Sequence, residues 1–334
     1  MKRILILSFI FVLFYCHAWS GGMTVMFYNV ENLFDINDNP DADDDEFTPD
    51  GAKRWTESRY WDKLNNISKV IASIDEMESP AIIGLCEVEN DTVLNDLTRR
   101  TALKNVGYDY VMTRCPDKRG INVAFMYKRV FFRMIDNESL NVSLQPYSEN
   151  TTRDILHVSG LIASGDTLDC YVCHWPSRIG GVEQTEVLRS RAAIVLKKSV
   201  EQVFGKRRNA NILIMGDLNE GPDEKAVRKT VQAVTWYKGL NSKDNTLVTL
   251  MDDVAGGSYR YEGIWDKYDQ FITSAGMLNG SGFIHIDKIG IGDAEFLLEA
   301  DTKYGGMKPY RTYNGYRYQG AFSDHLPIYL HLSY

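Results

Sequence analysis

Short apolar runs of strand length recur along the whole 334-residue chain, and they constrain its fold more than any other feature. Runs of this length, bounded by polar or turn-forming residues, are typical of buried β-strands. The clearest runs lie at 23–28, 81–86, 123–127, 168–173, 212–215, 271–274 and 326–332. The chain is therefore expected to bury several strands on both of their faces.

Helical patterns separate these runs. The clearest helix follows Thr56, a candidate N-cap, and places on one face Tyr60, Leu64, Ile67, Val70, Ile71 and Ile74. Further helices are predicted at 91–103, 183–204 and 223–235. Strands and helices mixed along one chain, without a repeat, predict an α+β domain in which helices cover layers of sheet. With 44% hydrophobic residues the chain can bury a large core, so residues 21–334 are predicted to form a single domain.

The first twenty residues have the pattern of a signal peptide. Lys2 and Arg3 precede an apolar run at 4–15, and Ala18 and Ser20 supply small residues for cleavage after Ser20. The protein is therefore expected to be exported to the periplasm or beyond. Lipoprotein anchoring through Cys16 is disfavoured by the bulky residues before it, and no later stretch is long and apolar enough to cross a bilayer.

The net charge and the cysteine content bear on two questions, the kind of binding partner and the presence of a disulfide, and settle neither. The formal net charge is −8, and loss of the basic leader residues makes it more negative. This argues against a broad basic face for nucleic acid, although a local patch or a bound cation reverses the sign locally. Four cysteines lie beyond the leader and are compatible with one disulfide, but the sequence does not select a pairing. They are Cys86, Cys115, Cys170 and Cys173.

The apolar runs end or begin at polar residues that a hydrophobic core would exclude. They are Asn29 and Glu31, Glu87, His174, Asp217 and Asn219, Asp269, and the sequence Ser323, Asp324 and His325. Each alone has a structural explanation, such as a helix cap or a turn. Strand ends that gather at one edge of layered sheets surround a common pocket, where catalytic groups are usually built. Together they predict an active site.

The residue types indicate the chemistry of this site. Carboxylate and amide oxygens are ligands for Mg²⁺ or Mn²⁺, with Ca²⁺ as an alternative, whereas zinc favours more histidine or cysteine. Histidines beside carboxylates transfer protons near neutral pH, and a cation on a phosphate oxygen neutralises developing charge. The sequence has no nucleophile elbow, no Walker-type phosphate loop and no zinc-protease motif. Metal-assisted attack of water on a phosphoryl centre is the expected reaction.

The ordered motifs resemble those of the endonuclease/exonuclease/phosphatase superfamily, in the form found in secreted bacterial, deoxyribonuclease-like members. They are Asn29 with Glu31, Leu85-Cys86-Glu87, His174, Gly216-Asp217-Leu218-Asn219, Asp269 and Ser323-Asp324-His325. The resemblance spans about residues 23 to 332. It implies a four-layer αββα sandwich of two mixed β-sheets flanked by helices, with the active site at one edge between the sheets.

The resemblance also implies roles for the motif residues. Glu87 is the expected principal metal ligand, with Glu31 beside it and Asp324 assisting a second ion. Asp217 and Asn219 are expected to position water and phosphate, while His174 and His325, the latter held by Asp269, contact phosphate and assist proton transfer. Asn29 and Arg178 are expected to contact substrate. The superfamily does not fix which group acts as the base.

Substrate class remains open between two hydrolytic functions. A nuclease acting on extracellular DNA or RNA is favoured by the tyrosine- and cation-rich segment 304–318, where Asn314-Gly315 predicts a tight hairpin. A phosphodiesterase or phosphatase acting on a lipid or small phosphate ester is the alternative. A non-catalytic binding protein is disfavoured because every expected position is filled. The acidic run 41–46 predicts a solvated loop or, less readily, a calcium site, and nothing indicates an obligate protein partner.

Overall fold

The computed structural model describes residues 21–75, 78–207, 209–236, 245–278 and 284–334. The predicted signal peptide, including Cys16, lies outside these residues. The strands in chain order are β1 Gly22–Leu33, β2 Ile82–Val88, β3 Tyr108–Met112, β4 Asn122–Lys128, β5 Phe132–Leu140, β6 Ile155–Ile162, β7 Thr167–His174, β8 Asn211–Asp217, β9 Val234–Thr235, β10 Leu247–Thr249, β11 Tyr259–Tyr261, β12 Ile264–Asp266, β13 Asp269–Ser274, β14 His285–Ile291, β15 Leu298–Ala300, β16 Met307–Pro309, β17 Tyr313–Asn314, β18 Arg317–Tyr318 and β19 Ile328–Ser333.

Two large mixed sheets contain most of these strands. The first has the order β14-β19-β1-β2-β4-β3, and the second has the order β5-β6-β7-β8-β13-β10-β9. Pairing is parallel between β1 and β2, between β7 and β8, and between β9 and β10, and antiparallel elsewhere in these sheets. Every predicted apolar run contributes a strand, although the last strand begins at Ile328 rather than at 326.

Helices cover the outer faces of both sheets. The α-helices are α1 Glu57–Ser73, α2 Asp91–Arg100 and α3 Val182–Lys206, and the shorter 3-10 turns are Asp45–Phe47, Ala102–Asn105, Ala275–Met277 and Glu295–Leu297. In α1 the predicted face is buried, as shown by Tyr60, Leu64 and Ile67, but the Thr56 side chain makes no capping hydrogen bond. The predicted helices at 91–103 and 183–204 correspond to α2 and α3.

The helix predicted at 223–235 is wrong in extent. Only a π-helical segment, Ala226–Val231, forms there, and it ends because Gln232 adopts a left-handed backbone with φ of 65°. The next residues, Val234 and Thr235, join the second sheet as β9 beside β10. Buried Ala226, Val227 and Val231 account for the helical pattern in the sequence. The last two residues of the predicted helix, 234–235, pair as a strand instead.

Three hydrophobic layers establish the four-layer αββα sandwich. One lies between the sheets and includes Phe27, Phe125 and Met215. A second packs the first sheet against α1 and α2, and the third packs the second sheet against α3. Along β1, Phe27 faces the layer between the sheets while the adjacent Tyr28 faces the helices. Strands buried on both faces explain the unbroken apolar runs in the sequence.

Candidate active site

The pairing of three adjacent strands brings predicted site residues into one row. In the second sheet His174 at the end of β7 is the register partner of Asp217 at the end of β8. Asp217 is in turn the register partner of Asp269 at the start of β13. Because neighbouring strands are about 4.8 Å apart, side chains from this row meet without any contribution from a flexible loop.

The first sheet supplies the facing residues through irregular backbone. The pairing of β1 with β2 shifts register between Asn29 and Leu33, and that of β2 with β4 shifts between Cys86 and Val88. Glu31 and Glu87 of the first sheet have φ of 50° and 63°, and Asn219, which follows β8 of the second sheet, has φ of 49°. Non-glycine residues rarely adopt such values, which cluster at functional sites. The irregular backbone redirects side chains that regular strands would bury in the core.

Asp217 is the residue on which the two sheets converge. Its Oδ2 accepts a hydrogen bond from Asn29 Nδ2 at 3.0 Å, and its Oδ1 accepts one from the Asn219 amide at 2.9 Å. Nε2 of His174 lies 3.8 Å from Asp217 Oδ2, and Nε2 of His325 lies 3.7 Å from the same oxygen. Burial raises the pKa of Asp217 to about 6, and His325 partly opposes that rise.

His325 is held as a cation by two carboxylates. Its Nδ1 is 2.7 Å from Asp269 Oδ2, and its backbone amide donates to Ser323 Oγ at 3.1 Å. Burial alone would lower the pKa of His325, but Asp269 and Asp217 outweigh it and raise the pKa to about 10. The ring of Tyr259 covers His325 with 4.8 Å between centroids. At neutral pH the imidazolium therefore presents Nε2–H to the site.

His174 is also buried, but its environment favours the neutral imidazole, whereas that of His325 favours the imidazolium. Burial lowers the pKa of His174 well below its usual value, and nearby Arg153 lowers it further. The Arg153 guanidinium donates to the carbonyls of His174 and Trp175 at 3.2 and 2.6 Å. Nδ1 of His174 has no hydrogen-bond partner among the described residues. The site thus combines a neutral imidazole with a charged one on a shared carboxylate.

Two arginines that the sequence analysis did not assign neutralise the facing carboxylates. Arg119 Nη2 lies 3.3 Å from Glu87 Oε2, which also accepts the Asn32 amide at 2.9 Å. Arg311 bridges Glu31 and Asp324, with Nη2 2.7 Å from Glu31 Oε1 and 3.0 Å from Asp324 Oδ2. Burial would raise the pKa of Glu87, but the Arg119 guanidinium opposes burial, and the pKa lies below its usual value.

The donor set fits a hard divalent cation. Ligand atoms of Asp217, Asp269 and His325 lie within 4.8 Å of one another, and Asp269 Oδ1 is buried without a hydrogen-bond partner in the described structure. The predicted ligands Glu87, Glu31 and Asp324 form the facing group of carboxylates. Oxygen donors of this kind suit Mg²⁺ or Mn²⁺. The cluster whose ligand atoms lie close together in the described chain therefore differs from the predicted set Glu87, Glu31 and Asp324.

Arg178 and Asn219 support the loops around the row. Arg178 Nε donates to the Asn219 carbonyl at 2.7 Å, and its guanidinium pairs with Glu224 and lies 4.5 Å from the Tyr268 ring centroid. Asn219 Nδ2 donates to the Trp175 carbonyl at 3.1 Å. Arg178 therefore has structural partners that compete with the predicted substrate contact, and both side chains connect the loop after β7 to the loop after β8.

The tyrosine-rich segment divides between core and surface. The predicted hairpin forms as β17 and β18, with Gly315 at φ of 61°. Tyr313 is buried, whereas Tyr316 is 71% exposed at the hairpin tip. Arg311 bridges Glu31 and Asp324, which together with Glu87 are called the acidic centre below. The surface available for base stacking is therefore smaller than the composition of 304–318 indicates.

Two other sequence-based expectations changed. The acidic run 41–46 is not simply a solvated loop, because Asp44 is buried and accepts the Asn39 amide. The four cysteines beyond the leader are all free, and three of them, Cys86, Cys170 and Cys173, are buried.

The sequence analysis missed Arg119 and Arg311 because they lie in loops far along the chain from their partners. The basic residues around Asn314-Gly315 were the only local signal for Arg311.

Comparison with known proteins gives a consistent relationship. Residues 24–334 match the model of the endonuclease/exonuclease/phosphatase family. A Bacteroides thetaiotaomicron member of that family has a similar structure at 15% identity and a TM-score of 0.57, covering 94% of this chain and 98% of its own. No curated protein matches the sequence.

Two further structures share the fold. The Bacteroides thetaiotaomicron mannosyl-6-phosphatase is 16% identical, with a TM-score of 0.56 over 93% of this chain and 100% of its own. The human nocturnin catalytic domain is 14% identical, with a TM-score of 0.55 over 93% of this chain and 94% of its own.

Within the described ranges, none of the helices has the length and apolar character needed to span a membrane. The family match over nearly the whole chain, together with the fold, shows that this chain belongs to the endonuclease/exonuclease/phosphatase family.

Proposed function

We propose that this protein is a divalent-metal-dependent phosphodiesterase that hydrolyses nucleic acid outside the cytoplasm. The observation that supports hydrolysis is the convergence of His174 Nε2 and His325 Nε2 on one oxygen of Asp217, at 3.8 and 3.7 Å. A neutral and a charged imidazole beside a buried carboxylate can bind a phosphate, orient water and move its proton. Family membership supports the same reaction class.

Each residue of the row has a defined task in this proposal. The imidazolium of His325, fixed by Asp269, donates to a phosphate oxygen and stabilises the charge that develops there. Asp217 accepts a hydrogen bond from the attacking water. Neutral His174, whose Nε2 lies 3.8 Å from Asp217 Oδ2, is placed to exchange a proton with that water or with the phosphate. Glu87, Glu31 and Asp324 would hold the divalent cation, which supplies Lewis-acid activation of the phosphoryl group when bound.

Nucleic acid is the favoured substrate because aromatic and cationic groups border the site. Exposed Tyr316 lies 5.0 Å from Lys53 Nζ at the hairpin tip, and Tyr259 covers His325. Aromatic faces with nearby cations stack bases and bind phosphates. Phosphomonoester hydrolysis is the second candidate. It is supported by Arg119 and Arg311, whose side chains are 45% and 40% exposed beside the carboxylates and can accommodate a dianionic terminal phosphate.

Hydrolysis of supercoiled plasmid by residues 21–334 tests this proposal. We expect nicking with Mg²⁺ or Mn²⁺, none with EDTA, and none for the His174→Ala/His325→Ala variant. Sphingomyelin, inositol phosphates and mannose 6-phosphate serve as alternative substrates in the same assay. Hydrolysis of one of these by the wild type, with the plasmid left intact, would overturn the nuclease assignment. Inactivity on all substrates would contradict enzymatic function.

We also propose that the chain is exported and cleaved after Ser20. The support is the leader sequence, in which basic residues precede an apolar run and small residues precede Gly21. Expression of the full chain in a bacterial host, followed by fractionation and intact-mass measurement, tests this. A periplasmic or secreted protein that begins at Gly21 is expected. An uncleaved cytoplasmic protein, or a lipid-modified Cys16, would contradict it.

A further inference from the structure

A cavity of about 280 Å³ opens directly beside the acidic centre. It lies between the segment that contains Phe47 and Lys53 and the hairpin that contains Tyr313 and Gly315, and Glu31 and Arg311 form part of its wall. The cavity therefore includes Glu31, one of the carboxylates proposed to hold the cation. A substrate whose reacting phosphate lies at the centre would place a neighbouring group in this cavity.

Lys53 gives the cavity a cation with little local compensation. Its Nζ donates to the Gly315 carbonyl at 3.0 Å, which uses one of its three N–H groups. Its ion-pair partner within the described chain is Oε2 of Glu46, which is 3.9 Å away on a 43% exposed side chain. The rings of Phe47, Tyr313 and Tyr316 surround the ammonium group at 5.0 to 5.8 Å.

Arg311 supplies a second fixed donor in the wall of the cavity. Its Nε and Nη2 bond to Glu31, and Nη2 also bonds to Asp324. These bonds hold the guanidinium in place and do not use Nη1. A group in the cavity would therefore meet positive donors from both Lys53 and Arg311, which line it. Glu31 is already bonded to Arg311 and, at 2.8 Å, to the Thr312 backbone amide.

We propose that this cavity binds a second phosphate of the substrate, with Lys53 as its specific donor. The inference rests on the proposed function and extends it, because it selects substrates that carry another phosphate next to the one that is hydrolysed. A nucleic-acid strand and a polyphosphorylated small molecule share this chemistry. An uncharged ring would benefit from the aromatic wall but would gain nothing from the Lys53 charge.

Dinucleotides that differ by a single phosphate test the proposal. Thymidylyl-thymidine is compared with the same compound carrying a 5′- or a 3′-phosphate, using Mg²⁺ and the mature chain. We expect one phosphorylated form to have kcat/KM on the order of tenfold higher, as one charge-assisted hydrogen bond provides. Lys53→Met should remove this preference, so that the phosphorylated and unphosphorylated compounds are hydrolysed with equal kcat/KM. Lys53→Arg should keep the preference. Inositol mono- and bisphosphates form a parallel pair that separates the two sources of phosphate.

Lys303→Met is the matched control, because Lys303 also packs on a tyrosine ring, at 4.6 Å from Tyr304, but does not line the cavity. It should behave as wild type. A wild type that hydrolyses all forms equally, or a Lys53→Met variant that keeps the preference, would overturn the proposal. A wild type inactive on both substrate pairs would contradict the proposed function instead. Calorimetry then tests phosphate binding in the cavity without hydrolysis, by comparing the affinities for thymidine 3′,5′-bisphosphate and thymidine 3′-monophosphate. Tighter binding of the bisphosphate, lost in Lys53→Met, supports the proposal. Equal binding of the two compounds by the wild type overturns the proposal.

Discussion

His174 and His325 share Asp217 but differ in charge because their other neighbours differ. His325 Nδ1 contacts Asp269 at 2.7 Å, whereas Nδ1 of His174 has no partner in the described part of the chain and Arg153 lies nearby. A carboxylate stabilises an imidazolium, while burial beside a guanidinium favours the neutral ring. The division of roles between donor and acceptor is therefore built into the residues behind each histidine.

The raised pKa of His325 predicts a pH dependence of stability. Below pH 6.5 the imidazole is protonated in both the folded and the unfolded states, and the stabilisation from its carboxylate partners is fully present. That stabilisation is lost as pH rises through about 10, the folded-state pKa. We expect the free energy of unfolding of wild type to fall more between pH 6.5 and 10 than that of His325→Gln. Urea denaturation at both pH values measures this, and equal falls would contradict it.

Arg311 predicts an effect on metal affinity. Removing its charge leaves Glu31 and Asp324 without the cation that now bridges them at 2.7 and 3.0 Å. Arg311→Met should therefore bind Mn²⁺ about tenfold more tightly, equivalent to roughly 1.4 kcal/mol. Calorimetric titration of the metal-free protein gives the affinity directly. Arg317→Met, in the exposed hairpin strand β18, is the control; unchanged or weaker Mn²⁺ binding by Arg311→Met would be inconsistent with this role.

At the scale of secondary structure, helix α1 supports the active site through a buried lysine. Lys63 is 1% exposed, and its Nζ donates to Thr312 Oγ1 at 2.6 Å and to the Phe322 carbonyl. These acceptors flank Arg311 and Asp324 in the chain. The outer helix layer thus fixes two loops that carry residues of the acidic centre.

Lys63→Met is expected to destabilise the protein by about 1–3 kcal/mol, because the buried Thr312 hydroxyl loses its donor and the Phe322 carbonyl keeps only its bond from Thr312 Oγ1. It should also lower hydrolytic activity, since the loop that carries Arg311 loses an anchor. Chemical denaturation measures the first effect. Lys69→Met, an exposed lysine on the same helix that packs on Phe296, should cost no more than about 1 kcal/mol. Similar losses for the two variants would argue against a specific anchoring role.

The sequence was sufficient to predict seven strands of the two large sheets and the motif residues at their ends: β1, β2, β4, β7, β8, β13 and β19. It did not predict the more exposed strands, such as β5 and β14, or the groups that set the charge of the motif residues. Strands such as β1 and β8 are buried on both faces, so their apolar runs are unmistakable. The partners Arg119 and Arg311 lie 32 and 280 residues from Glu87 and Glu31, and no local pattern records such contacts. The helix prediction for 223–235 was wrong in extent for a related reason, because the pairing of β9 with β10 depends on residues outside that segment.

At the scale of the whole molecule, packing rather than cross-linking accounts for stability. The four described cysteines are free, and Cys86, Cys170 and Cys173 lie in hydrophobic layers. We therefore expect thermal unfolding to be the same with and without dithiothreitol. A structural disulfide would contribute about 2–4 kcal/mol, so a clear drop in melting temperature in reductant would show that a pair forms in the oxidised protein.

The two sheets meet at Asp217, and the account depends on this residue more than on any other. The most direct test is the rate of bis(p-nitrophenyl) phosphate hydrolysis by wild type and Asp217→Asn, each with Mg²⁺ and with EDTA. The account predicts metal-dependent hydrolysis that Asp217→Asn reduces by about 10²–10⁴-fold, with the fold retained by circular dichroism. A wild-type rate that survives EDTA, or an Asp217→Asn rate within about threefold of wild type, under 1 kcal/mol of barrier, would contradict it.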